Sequence, residues 1–201
     1  MSAAVANVAI NLARSGSPVG AGMRKLLKIC AEIHPSKKWP AFDAINFESD
    51  TPRLKEWLLN LLKDEPPPGS INGFWFGMFN PVRGGEATAD LYLAGSDHFN
   101  ADDANWACRP AYWPNGRNSN SNVLREIYRL SYGKSGGLQN DAEYPLSLGY
   151  SLLVITQLCG EIAPDIWLSS APSRAVAVGF DSGDHIWLGT LWPNGFMAAT
   201  N

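Results

Sequence analysis

Cysteine is scarce: Cys30, Cys108 and Cys159 are the only three in 201 residues. They are widely spaced and form no C-x-x-C pair, which argues against a disulfide framework or a structural zinc site and fits reduced thiols in a cytosol. Basic runs are missing as well. Sixteen Lys and Arg stand against 19 Asp and Glu, for a formal net charge of -3 without a basic cluster, so binding to nucleic acid by phosphate neutralisation is disfavoured. The most apolar stretch, 146–159, carries Ser147, Ser151, Thr156 and Gln157, too short and polar to span a bilayer and better suited to a buried helix. The first residues lack the basic start and unbroken apolar core of a secretory signal, since Asn7 and Asn11 interrupt them and Arg14 follows. A cytoplasmic chain with no membrane contact is expected. Neither G-x-G-x-x-G after a strand nor G-x-x-x-x-G-K-[ST] occurs, and no G-x-S-x-G stands on a predicted strand-to-helix elbow. Nothing points to a cofactor or to a known catalytic class.

Aromatic and aliphatic residues, in contrast, are plentiful: eight Trp, eight Phe and six Tyr within 45% hydrophobic content can fill a substantial core. Val5, Val8, Ala9 and Leu12 share one helical face, and Met23, Leu26, Leu27, Cys30 and Ile33 repeat that spacing after the breaker Ser15–Gly20. Asp50-Thr51-Pro52 signals a third helix start, whose stripe of Leu54, Trp57, Leu58, Leu61 and Leu62 ends at the stiff triproline 66–68. Residues 74–79 and 88–94 read as antiparallel strands about a turn at 80–85. Leu124, Ile127 and Tyr128 begin another helix, and 144–159 is apolar nearly all round, as for a helix covered on several sides and packed centrally against the sheet. Residues 175–180 and 185–191 bracket the turn formers Asp181–Asp184 as a hairpin. The order ααα-ββ-αα-ββ favours one α+β domain over 1–201, a mainly antiparallel sheet of about four strands with about five helices. A helical part would cover about 1–65 and a sheet-containing part about 70–195.

The segment Gly95 to Asn120 has no periodicity, and loops of that length inside a domain are often functional. Within it, Asp97, His98, Asp102 and Asp103 combine oxygen and imidazole ligands, but their spacing matches neither a Ca²⁺ loop nor H-E-x-x-H. The competing reading is a solvated acidic loop whose carboxylates cap backbone amides. Cys108 would need His98 within hydrogen-bond reach to act as a nucleophile. Trp106, Tyr112 and Trp113 alternate with these charges and with Arg109 and Arg117, the aromatic-anchor and polar-rim composition of a protein interface. Against that stands the reading that the rings fold back into the core. Asp181 and Asp184 suit a turn first and a partner contact second. Trp-Pro-Asn-Gly occurs twice, at Trp113–Gly116 and Trp192–Gly195, as recurrent turn chemistry.

Gly73-Phe74-Trp75-Phe76-Gly77-Met78-Phe79-Asn80-Pro81, Ala89-Asp90-Leu91-Tyr92-Leu93-Ala94-Gly95-Ser96 and Val178-Gly179-Phe180-Asp181-Ser182-Gly183-Asp184 resemble segments of uncharacterised bacterial proteins. Some of these in turn resemble immunity proteins of polymorphic or contact-dependent toxin systems. The resemblance implies a small cytoplasmic protein that neutralises a cognate toxin by direct contact. The mild acidity would complement a basic nuclease toxin. The candidate contact residues are then Asp97, His98, Asp102, Asp103, Trp106, Tyr112, Trp113, Asp181 and Asp184. The alternative from the residues alone is an enzyme of unfamiliar type with its active site in the 95–120 loop.

Overall fold

The computed structural model describes residues 3–133, 137–183 and 185–200. Its elements run in the order α1 (Ala3–Arg14), α2 (Val19–Ile33), α3 (Pro40–Asp43), α4 (Thr51–Asp64), β1 (Gly73–Phe79), β2 (Val82–Arg83), β3 (Glu86–Ala87) and β4 (Asp90–Ser96). A 3-10 turn at Ala104–Cys108 follows, then α5 (Asn122–Ser131), α6 (Asn140–Glu161), α7 (Pro164–Leu168), β5 (Arg174–Phe180), β6 (Ile186–Trp192) and β7 (Gly195–Ala198). The main sheet has the order β4-β1-β5-β6-β7. The α+β class holds, with three corrections. Among the described residues there are seven helices rather than about five, since the short α3 and α7 show no period. The sheet has five strands rather than four, and its central pair, β1 with β5, is parallel while β5–β6 and β6–β7 are antiparallel.

Contacts divide the chain into two compact units, Met1–Thr51 with Asn80–Asp90 and Ser121–Gln157, and Pro52–Phe79 with Leu91–Asn120 and Leu158–Asn201. α4, from Pro52 on, falls in the second unit together with β1 and β5–β7. In the first unit α6 packs on α1 and α2: a side chain at Gly149 would run into Leu26, and one at Gly22 into Leu153. A small β2–β3 hairpin turns through Gly84 and Gly85, both at positive φ as a type I′ turn requires. The buried Asp50 carboxylate accepts from Ser121 Oγ (2.7 Å) and Val123 N (2.9 Å), while Ser121 caps α5 by accepting from Leu124 N (3.0 Å).

Glu143, on the first turns of α6, is buried, and desolvation lifts its carboxyl above the usual range. A carboxyl with a raised folded pKa holds its proton longer in the native than in the unfolded chain. Stability therefore falls as pH rises through the window between the two values and stays at that lower level above it. Glu143→Gln removes the ionisation. It is expected to melt higher than wild type at pH 7, with the difference closing below about pH 4 in a pH series of thermal melts.

In the second unit strand alternation divides β1: Phe74, Phe76 and Met78 share the face of Val176, Val178 and Phe180 on β5. Phe74 and Phe76 meet the buried Trp167 of α7 at ring distances of 5.9 and 6.3 Å. On the opposite face Phe99 and Trp106 pack by Trp75, and Tyr92 of β4 lies over Gly77. Among the described residues no helix is long and apolar enough to cross a membrane.

Candidate interaction surface

Small residues on the strands make room for large ones from the loop. Trp75, Ala94 and Ala177 form a buried cluster with Trp106, against which Tyr92, Phe99 and Ala107 pack. A Cβ at Gly73 would reach 3.0 Å from the Trp106 ring, and one at Gly77 would sit 2.3 Å from the Tyr92 ring. Both rings depend on bare backbone beside them. Trp106 meets Phe99 and His185 edge-on at 5.3 Å each, and His185 stacks on Trp75 at 5.8 Å. Burial draws the His185 pKa down, so the imidazole is neutral at physiological pH.

This arrangement corrects two of the proposed anchors. Trp106 and Tyr112 are each 6% exposed and belong to the interior. The loop folds back because Ala111 and Tyr112 bond Gly95, and Leu93 and Ser119 bond Arg117 and Leu91, so that 111–119 lies along the outer edge of β4. That pairing satisfies β4's backbone and turns Tyr112 inward, its hydroxyl donating to Glu65 O at 2.6 Å.

Trp113 is the exception: it stays 50% exposed. Its ring stands edge-on to Tyr92 at 5.4 Å and carries the Arg117 guanidinium at 4.4 Å. Beneath it Trp75 Nε1 donates to Tyr92 Oη (3.0 Å), which donates to Asp181 Oδ1 (2.7 Å). Burial first and the Asp181 carboxylate second push the Tyr92 pKa upward, so the hydroxyl keeps its proton. Trp113 and Asp181 thus meet the same tyrosine. Asp184 lies outside the described residues.

The turn that carries Trp113 is pinned. Glu65 Oε2 and Oε1 accept from Asn115 N and Gly116 N, each at 2.7 Å, and Trp57 Nε1 donates to Gly116 O at 2.9 Å. The second Trp-Pro-Asn-Gly closes the β6–β7 hairpin instead, with Trp192 opposite Gly195. Glu65→Gln keeps one acceptor but sets an amide donor against a backbone N–H. It is expected to lose about 2 kcal/mol of stability and to speed amide exchange at Asn115 and Gly116, read by urea unfolding and hydrogen exchange.

Of the acidic loop residues Asp103 takes the capping role, its Oδ1 accepting from Asn105 N (3.0 Å) at the start of the 3-10 turn. Asp97, Asp102 and His98 are exposed, and His98 Nδ1 is 3.9 Å from Asp97 Oδ1. His98, Asp103, Trp106, Cys108 and Arg109 border one cleft of about 620 Å³. Among the described residues no three His, Cys, Asp or Glu side chains gather as a metal ion would need. The pentapeptide 133–137 spells G-x-S-x-G, but it follows helix α5 rather than a strand, and Lys134, Ser135 and Gly136 lie outside the described residues.

Sequence reasoning missed Tyr92 and Glu65 as parts of this surface, and named Arg117 only within the polar rim of the loop. Tyr92 alternates with buried Leu91 and Leu93 on β4, a period-two signal for the other face. Glu65 lies 50 residues from Asn115, and no local pattern marks such a bond. Comparison with protein-family models, curated proteins and solved structures returns no match for this chain.

Proposed function

We propose that the protein is a binding protein that neutralises a cognate bacterial toxin by direct contact, an immunity protein, and that Trp113 anchors the contact. The observation that carries this reading is a half-exposed tryptophan held ready on a pinned turn. Glu65 and Trp57 fix its backbone, and Tyr92 and Arg117 hold its ring. A side chain ordered before binding loses little rotamer freedom on association, which is how rigid aromatic anchors concentrate affinity. The exposed carboxylates of Asp97, Asp102, Asp103 and Asp181 lie in the same unit as Trp113. With a net charge of -3 they favour encounter with a basic partner, for which a basic nuclease toxin is the expected class.

The cleft bordered by His98, Cys108 and Asp103 favours the second reading, an enzyme of unfamiliar type. Mixing the purified chain with the product of the neighbouring gene separates the two. A stable complex that silences the toxin supports the first. No complex, together with turnover that disappears in His98→Ala or Cys108→Ser, supports the second and removes the first. Charge reversal at Asp102 and Asp103 is expected to slow association several-fold at low salt while leaving dissociation unchanged, measured by stopped flow.

A further inference from the structure

Arg174 opens β5 and is fully buried. The register places it on the face of Phe74, Phe76 and Val176, with its Cζ 5.0 Å from the Phe74 ring centroid. Nη2 donates to the carbonyls of Pro67 (3.2 Å) and Pro68 (2.8 Å). Nε and Nη1 have no partner, and none of the ion pairs found among the described residues involves Arg174. Trp167, equally buried, packs on the same Phe74 at 5.9 Å, and its Nε1 is also without a partner. Tyr112, the third ring against Phe74, is committed through its hydroxyl to Glu65 O. Burial lowers the Arg174 pKa to about 10, which leaves the guanidinium charged at neutral pH.

A buried charge is ordinarily matched by an opposite one, because the lost hydration is otherwise uncompensated. Arginine and indole nitrogens only donate, so an occupant that only accepts satisfies them better than water, which must also place its own protons. We propose that this cluster binds a small monovalent anion of chloride size, paired with Arg174 and supported by the Trp167 N–H. The anion would be an integral counter-charge of the fold, deep under the Pro67–Pro68 connection.

The test compares wild type and Arg174→Met by thermal melting in sodium chloride and in sodium gluconate at equal ionic strength, with bromide-soaked wild-type crystals mapped by anomalous scattering. Beyond half-saturation, each tenfold rise in chloride should lift the wild-type melting temperature by about 3 °C relative to gluconate. Arg174→Met should lose that dependence. If Arg174→Met does not fold, the wild-type melts and the bromide map decide between them. An anomalous peak against the guanidinium with the chloride shift supports the site. Water alone at that place, or a peak without any shift in solution (an adventitious ion only), overturns it.

Discussion

Trp113→Ala is expected to weaken the proposed complex with a cognate toxin at least about 30-fold, the equivalent of about 2 kcal/mol, almost wholly through faster dissociation. The fold should barely register the change. The ring is half exposed and contributes one edge contact to Tyr92 and one cation–π contact from Arg117, together about 1 kcal/mol. Binding and stability therefore separate at this position, which they would not do at Trp106 or Tyr112, where truncation opens a core cavity. Surface plasmon resonance read beside urea unfolding distinguishes the cases. Unchanged dissociation in Trp113→Ala would remove this ring from the interface and with it the surface argued above.

Local signals carried much of the fold. The stripes of α1, α2 and α4 and the turn chemistry of Asp181–Gly183 between β5 and β6 are periodic or short-range, and the elements lie where those patterns place them. The parallel β1–β5 pair was not legible, because its residues sit about 100 positions apart, Gly73 opposite Ala175, and no local pattern names a distant partner. The short α3 and α7 have too few residues to display a period. β7 is four residues long, and although Trp-Pro-Asn-Gly at Trp192–Gly195 reads as turn chemistry, no strand was expected after it. For the candidate site, composition singled out the loop that carries Trp113 but not its inside and outside. Whether a tryptophan is core or contact depends on what lies opposite, and here bare or small positions on β1, β4 and β5 receive Trp106. Only the spacing of Gly73, Trp75 and Gly77 along β1 hinted at it, a large ring flanked on its own face by two glycines.

That spacing gives the sharpest test of how the surface is built. Gly77→Ala would drive a methyl into the Tyr92 ring, with nearest atoms at 2.3, 2.4 and 2.6 Å. The ring cannot yield freely, because Trp75 Nε1 and Asp181 Oδ1 hold its hydroxyl and Phe79 and Trp113 meet its edges. Overpacking against a fixed ring should cost about 3 kcal/mol. It should also move Trp113 and weaken toxin binding, although Gly77 lies beneath Tyr92 and away from solvent. Gly160→Ala, where an added methyl on α6 meets nothing within 4 Å, should instead be neutral or stabilising by up to about 1 kcal/mol. Adding Tyr92→Ala isolates the cause: with the ring gone the methyl at position 77 has space, so Gly77→Ala should cost under about 1 kcal/mol in that background. Equal costs in both backgrounds, by urea unfolding, would place the strain in the backbone of β1 and not in the tyrosine that supports Trp113.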